Sequence, residues 1–265
     1  MNISIAALIP TLGIRRRSVS GIWLRHAVSF LRYWKFVITW VIIEPVVVLV
    51  AVGMGIGKLV TEVEGANSYA EFVTPGLIMG SAMFHALFET SWNAYNRIEN
   101  DVYETALTTP ITVTEITLGD ILWAVTRSLM TTVGVAVFAV ILGWLNGWSA
   151  VGIMIPAVMV GAVFGTMGFL FSAVAPHTTF LTLVFTLVAT PLYFFSGAFF
   201  PISILPDWVE PIAWAMPLTP GVHVARGFAL GSFDITHLWA AIYMVALTAV
   251  MWPVAIYLLR RRLIR

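Results

Sequence analysis

The chain has 265 residues, of which 60% are hydrophobic and only 10% are charged, and its formal net charge is +1. Soluble domains carry about 25% charged residues, so this composition excludes soluble enzymes, disordered chains and coiled coils. Cysteine is absent, which rules out disulfides, zinc–thiolate sites and a catalytic thiol. We therefore expect an all-α membrane protein with a single transmembrane domain over residues 1–265.

The N-terminal segment, residues 1–35, precedes the first long apolar run. Within it, Gly21–Lys35 mixes aromatic and aliphatic side chains with basic ones, a pattern that predicts a basic amphipathic helix with aromatic anchors. Such a helix lies in the plane of the membrane interface. The alternative is a simple basic flank of the first span. Both alternatives place the segment at the cytoplasmic surface.

Six runs are long and apolar enough to predict transmembrane helices, since a span needs about 20 mostly apolar residues. They are Phe36–Gly57, Val73–Tyr95, Thr117–Gly143, Val151–Ala175, Phe180–Phe200 and His237–Leu259. Lys and Arg concentrate before the first run and after the last, so both termini are predicted to be cytoplasmic. The opposite side is mildly acidic, through Glu62, Glu64, Glu71, Asp207, Glu210 and Asp234.

The cytoplasmic loop of residues 96–116 is predicted to carry a short amphipathic helix. Asp101 and Glu104 stand in capping-box register at its start, and a proline ends it. We interpret it as a helix that docks on a soluble partner, with Tyr103 and Leu107 in an apolar cleft and the acids facing basic groups. The alternative is a helix resting on lipid, which its acids disfavour because that leaflet is negative.

Residues 201–235 follow the fifth span on the outer side. They contain five prolines and two tryptophans, and are too long for a turn and too apolar for a solvated loop. Proline blocks one continuous helix, so we expect short, broken helices that re-enter the outer leaflet. The alternative is a cap that rests on the bundle.

Glu44, His85 and Glu89 are ionisable residues inside predicted spans. Each costs roughly 2.5–3.5 kcal/mol or more in a membrane, and such groups usually face a bundle interior or a cavity. His85 and Glu89 share one helix face, which suits either a polar lining for a headgroup or proton path, or a structural hydrogen-bonded pair. Pro45 follows Glu44 and frees a backbone carbonyl, which favours a structural role there.

Aromatic side chains concentrate in the second and fifth spans and include Phe88, Tyr193 and Phe195. They predict either an apolar pathway for an amphipathic substrate or lipid-facing bulk.

Sites for nucleotide or metal are not predicted. A phosphate-binding loop needs G-x-x-x-x-G-K-[ST], but Gly57-Lys58 is followed by Leu59 and position 52 is valine. The five histidines show no metal-binding spacing. We therefore expect no cofactor and no metal site in this chain, and an energy source in a partner or in an ion gradient.

Several short runs together resemble a known family. They are Phe72-Val-Thr-Pro-Gly76, Phe88-Glu-Thr90 with Arg97, Tyr103-Glu-Thr-Ala-Leu-Thr-Thr-Pro110, Phe195-Ser-Gly197 with Phe200-Pro201, Leu205-Pro206, Pro217-Leu218 and Arg226. At this spacing, over nearly the whole chain, they resemble the membrane subunit (permease) of type-2 ABC exporters, specifically the nodulation-factor and daunorubicin-resistance group.

The resemblance implies an inner-membrane exporter built from two copies of this chain and two separate ATPase subunits, which bind ATP and Mg. It implies a coupling helix in the loop after span two, at Asp101, Tyr103, Glu104, Leu107, Thr109 and Pro110. The implied substrate is amphipathic: a lipo-oligosaccharide, a glycolipid or a polyketide drug. Its other partners are membrane lipids, and nucleic acid is not among them. The candidate substrate pathway is Glu44, His85, Phe88, Glu89, Tyr193 and Phe195.

Two other functions remain open from the sequence. A membrane-embedded lipid-modifying enzyme needs several polar residues at one membrane depth, and only Glu44, His85 and Glu89 qualify. A gradient-driven transporter needs an intramembrane proton relay and usually more spans. An ATPase encoded beside this chain would favour the exporter.

Overall fold

The computed structural model describes residues 15–60 and 66–263, which form helices joined by short turns, with no strand among them. The all-α prediction is confirmed for these residues. Residues 1–14 of the N-terminal segment lie outside the described residues, as do Glu62 and Glu64, which contributed to the predicted charge pattern.

Helix α1 (Arg16–Ile38) begins earlier than the predicted amphipathic helix and kinks at Tyr33, where φ is −116° and ψ is 18°. A π-turn, Thr39–Ile43, connects it to α2 (Glu44–Gly55). Part of the apolar side of α1 packs on protein, because Val19 and Ile22 are buried against the helix that contains Gly119. A Cβ at Gly119 would lie 2.7 Å from the Ile22 side chain, so this contact is close.

Helix α3 (Tyr69–Phe88) is the centre of the bundle. Ser68 caps its start, and 16 of its 20 residues are buried. It continues through a π-turn, Glu89–Asn93, into α4 (Ala94–Glu99), and α5 (Val102–Leu107) follows in the loop. Helices α2, α6, α8 and α12 pack around α3.

Helix α6 (Val113–Ile141) starts with a capping box formed by Thr112 and Glu115, and it packs closely on α8 (Met154–Val174), which the short α7 (Gly147–Gly152) precedes. Small residues permit this approach. A Cβ at Gly161 would lie 2.9 Å from the Cα of Val125. The glycines of α8 therefore serve packing within the chain.

The last part of the fold is α9 (Thr178–Val184), the π-turn Phe185–Ala189, α10 (Thr190–Phe194), α11 (Glu210–Ala215), α12 (Thr219–Leu230) and α13 (Ile235–Leu263). The segment 201–235 is broken into short helices, and its re-entry into the outer leaflet stays a prediction. Its prolines begin helices as well as ending them, since Pro211 and Pro220 occupy the first turns of α11 and α12.

Four stretches of helix in the described chain are long and apolar enough to cross a membrane, judged by length and composition: Thr39–Lys58, Val113–Ile141, Gly147–Val174 and Ile235–Leu263. They agree with the first, third, fourth and sixth predicted spans. The helices at the second and fifth predicted spans are not among these four, and the fifth covers 17 residues, Thr178–Phe194. The count of six spans stays a prediction.

Candidate functional site

A cluster of buried ionic groups lies where α3 runs into α4 and packs on α6. Arg97 contacts Glu89 and, at 3.0 Å, the Oδ2 atom of Asp120, and Arg127 lies 4.0 Å from Glu89. The side chains of Asp120 and Glu89 are 0% and 2% exposed. Two carboxylates and two guanidinium groups balance one another, as buried charges must. Asn93 adds a hydrogen bond to Glu89 at 2.9 Å.

Asp120 is the residue at which three separate elements meet. His26 of α1 places its Nε2 atom 2.6 Å from Oδ1 of Asp120, while Arg97 and the Tyr103 hydroxyl both donate to Oδ2. Burial, together with the nearby Asp120 carboxylate, raises the pKa of Tyr103 well above 10.0, so its hydroxyl stays protonated and donates. The carboxylate thus joins α1, α4 and α5 to α6.

The structure corrects two expectations for the loop helix. Tyr103 is fully buried inside this chain, so its side chain does not fill a cleft in a partner. Asp101 adopts a left-handed conformation with φ of 56° and its side chain caps nothing, so the capping box at Asp101 and Glu104 is wrong. The capping box of this loop forms instead at Thr112, which starts α6.

The outward side of α5 is exposed. Asp101, Glu104, Thr109 and Pro110 are exposed, and Leu107 is half-buried. Beside them is an open concavity of about 920 Å³, lined by acids of this loop and by Arg261 and Arg262 of α13, among others.

Arg262 holds the end of α13 against this concavity. Its guanidinium donates to the backbone carbonyls of Ser172 and Ala175 at 2.5 and 2.8 Å, and it contacts Glu99 at 2.9 Å. The ends of α4, α8 and α13 are therefore joined beside α5.

A second feature is a groove of about 430 Å³ between α2, α3 and the α9–α10 segment. Six aromatic side chains line it: Trp40, Phe84, Phe88, Trp92, Phe185 and Tyr193. Its polar lining consists of Glu44, Ser81, His85, Thr182 and Thr186. Trp92 stacks on Phe88 with ring centroids 5.9 Å apart, and Phe185 meets the edge of the same ring system. The groove combines an apolar wall with a few dispersed polar groups.

The predicted pathway residues separate into two groups. Glu44, His85, Phe88 and Tyr193 line the groove. Glu89 does not line it and belongs to the ionic cluster instead. Phe195, which is 39% exposed, follows α10 and is not in the lining either. Glu44 is exposed, and a local structural role for it beside Pro45 stays a prediction.

Asp120, at the centre of the ionic cluster, is the residue of this candidate site that the sequence interpretation missed. It lies inside the predicted third span, Thr117–Gly143, and an acid within an apolar run is the same signal that singled out Glu44 and Glu89. Its link to His26 carries no local signal, because the two residues are 94 positions apart.

The chain is similar to known membrane proteins over nearly its whole length. Residues 17–230 match the ABC-2 type transporter family. Nodulation protein J of Rhizobium leguminosarum bv. viciae is 32% identical over 262 residues, which cover 98% of this chain and 99% of that protein. Nodulation protein J of Rhizobium meliloti (strain 1021) is 30% identical over 92% of this chain and 93% of its own length.

A further relative has a name that states a location. The inner membrane transport permease YadH of Escherichia coli (strain K12) is 26% identical over 82% of this chain and 84% of its own length. The family consists of transport subunits rather than enzymes. Because the family match covers most of the chain and these relatives align over most of their length, the chain belongs to the ABC-2 type transporter family, as a permease of the nodulation protein J-like group.

Proposed function

We propose that this permease is the membrane subunit of an ATP-driven exporter of amphipathic molecules, working as a pair of copies with two ATPase subunits in the inner membrane. The chain has no phosphate-binding loop of its own, so ATP and Mg belong to the partner. The observation that carries the proposal, beyond family membership, is the contact of Tyr103 with Asp120, which connects an exposed loop helix to the bundle interior.

Coupling would follow a short route through the ionic cluster. A displacement of α5 by the ATPase would move Tyr103, which is bonded to Asp120 and therefore to Arg97. Arg97 in turn contacts Glu89 in the π-turn that ends α3. His85 and Phe88 of α3 line the aromatic groove. Motion of the loop would therefore reach the proposed pathway along one rigid element, α3.

The ATPase would dock on the exposed side of α5. Glu104 and Asp101 offer carboxylates to basic groups of a partner, and half-buried Leu107 adds apolar area. This assignment keeps the predicted coupling surface at Asp101, Glu104, Leu107, Thr109 and Pro110, and gives Tyr103 an internal role in transmission.

The groove would accept the substrate, and a second copy of the chain would close it. Exposed apolar side chains lie on the elements that line the groove, among them Trp40, Val47 and Leu187, which are 56%, 59% and 68% exposed. An acyl or polyketide body buried there gains about 0.8 kcal/mol per CH₂. His85 would meet the polar head. An amphipathic substrate satisfies both kinds of lining.

Co-expression with an ATPase tests the proposal. The permease and the ABC ATPase encoded beside it are purified separately and together, and ATP turnover is measured in nanodiscs. We expect turnover from the complex and none from the permease alone. Turnover by the isolated permease, or failure of the two to co-purify, would contradict the proposal.

Docking on α5 is tested with Glu104→Lys and Leu107→Asp. We expect both variants to insert normally and to lose co-purification with the ATPase. A matched control is Glu210→Lys, an exposed acid on α11 outside the loop. Normal substrate-stimulated ATP turnover in both loop variants would remove α5 as the docking element.

Pairing of two copies is tested by crosslinking, which the absence of native cysteine makes straightforward. Val47→Cys and Leu187→Cys are expected to crosslink two copies in membranes. Val250→Cys is the matched control, since Val250 on α13 is 68% exposed, as Leu187 is, but does not flank the groove. Crosslinking at Val250 alone would place the seam elsewhere.

A further inference from the structure

A group of potential metal ligands lies at the start of α13, far from the ionic cluster. His223 of α12, together with Asp234 and His237, offers three ligand atoms that all lie within 4.8 Å of one another. It is the one such group found among the described residues. Because α13 is 29 residues long, about 40 Å separate this end from its arginine-rich end.

The donor atoms are already connected to one another. Nδ1 of His237 is 2.7 Å from Oδ1 of Asp234, and the same carboxylate oxygen is 2.5 Å from the Thr236 hydroxyl. That hydroxyl is 2.8 Å from Nε2 of His223. The four polar groups thus converge on one small volume, and two imidazoles with one carboxylate form a donor set that suits zinc and similar ions.

The two close contacts of Nδ1 of His237 cannot both be hydrogen bonds. Its Nδ1 atom lies 3.0 Å from the backbone N–H of Asp234 and 2.7 Å from the carboxylate of the same residue. One nitrogen cannot accept from the amide and donate to the carboxylate at once. A cation bound by Nδ1 and Oδ1 removes this conflict, because it takes the Nδ1 lone pair in place of the amide contact and neutralises the carboxylate.

Packing holds the two imidazoles in place. Their rings are stacked with centroids 4.0 Å apart, Trp214 makes a T-shaped contact with His223, and Phe233 stacks on His237. Gly227 is necessary for this arrangement, since a Cβ there would lie 2.4 Å from the His237 ring. His237 is 5% exposed, whereas Asp234 is exposed and leaves a way in for an ion.

From this geometry we propose that His223, Asp234 and His237 bind a divalent transition-metal ion of the zinc type, which ties the first half of α12 to the start of α13. In a tetrahedral site the ligand atoms are about 3.4 Å apart, from bond lengths of about 2.0–2.2 Å. On binding, Nδ1 of His237 and Oδ1 of Asp234, which are 2.7 Å apart, move slightly apart, and the more distant ligand atoms move closer together. His223 tilts out of its parallel stack with His237 as it does so. Thr236 or water completes the shell. The inference is independent of the transport function.

The test is zinc binding by the purified full chain, prepared with an affinity tag that contains no histidine. Zinc content and affinity are measured for the wild type, His223→Gln and Asp234→Asn. Both replacements keep a polar side chain, and asparagine still caps α13 in place of Asp234, whose Oδ1 accepts from the Thr236 amide at 2.9 Å. His177→Asn is the matched control, because His177 is an exposed helix cap for which asparagine is a good substitute.

We expect one zinc ion per wild-type chain and unchanged binding in His177→Asn. Both site variants should bind at least ~100-fold more weakly, beyond the roughly 10–100-fold cost of losing a side chain that only hydrogen-bonds to a metal ligand. X-ray absorption should show two imidazole nitrogens and a carboxylate oxygen. Absence of zinc from the wild type, or equal binding by all four proteins, would overturn the proposal.

A measurement on the wild type alone covers the case in which the variants fold poorly. Diethyl pyrocarbonate modification of each histidine is followed by mass spectrometry with and without zinc. Zinc should protect the half-buried His223 and leave the exposed His177 reactive. Equal modification of His223 in both conditions would also overturn the site.

Discussion

Tyr103→Phe is the substitution that most directly tests the link between the loop helix and the bundle. The ring keeps its buried volume, so no cavity forms, and only the hydroxyl that donates to Asp120 is lost. A hydrogen bond to a charged group contributes about 1.5–3 kcal/mol. Asp120 keeps His26 and Arg97, so we expect the lower end, about 1.5 kcal/mol, or roughly a tenfold change in the unfolding equilibrium.

The assay compares this variant with Tyr95→Phe. Tyr95 is also buried, but its hydroxyl donates to a neutral carbonyl, that of Pro176, at 3.3 Å, so about 0.5–1 kcal/mol is expected. Stability is measured by denaturant unfolding in detergent, and transport is measured in cells with the ATPase. Tyr103→Phe should keep ATPase docking, because the exposed side of α5 is unchanged, while transport falls several-fold.

A double-mutant cycle identifies the partner. Asp120→Asn alone should cost about 3–5 kcal/mol, because it removes a charge from a balanced buried group. In that background Tyr103→Phe should cost clearly less than it does in the wild type. If Tyr103→Phe matches Tyr95→Phe in stability, transports normally and shows no coupling to Asp120, then α5 is not connected through this bond.

Four further substitutions test the groove and the cluster. Phe88→Ala or Tyr193→Ala should impair transport of long-chain substrates more than short ones in a competition assay, because the lost rings line the apolar wall; equal effects on both would indicate lipid-facing roles. Gly80→Ala should destabilise the fold by about 1–3 kcal/mol in thermal unfolding, since its Cβ would lie 1.9 Å from the Tyr193 ring, and wild-type stability would refute that packing. Glu89→Gln should lower thermal stability and transport together, because it removes one of the two carboxylates that balance Arg97 and Arg127; lost transport at wild-type stability would instead support a pathway role for Glu89.

Local features of the sequence predicted much of the helical layout. The apolar runs, the short loop helix and the broken outer segment correspond to helices in the structure, because each depends on neighbouring residues. The predicted helix boundaries are less accurate. The capping box was assigned to Asp101, whereas the structure places it at Thr112, and the sequence offers the same Ser/Thr/Asp-to-Glu spacing at both positions.

The candidate site divides in the same way. Phe88 and Tyr193 were found because aromatic residues were enriched in their runs, and both line the groove. Glu89 was found as an intramembrane acid, but its role could not be derived, since its partner Arg97 reaches it only after the π-turn changes the helical register. Family membership was recognisable because several short runs that resemble the family lie one after another along nearly the whole chain.

By itself, the sequence determined that this protein belongs in a membrane, that it is helical, that it contains no phosphate-binding loop and which family it belongs to. These properties follow from composition and from residues close together in the chain. The tertiary structure alone decided that Tyr103 faces inward, that Asp120 joins three other helices to α6, and that the ring of His223 stacks on that of His237. Each of these depends on contacts between elements far apart in sequence or across a turn, where the direction of a side chain is set by helix packing and not by its neighbours.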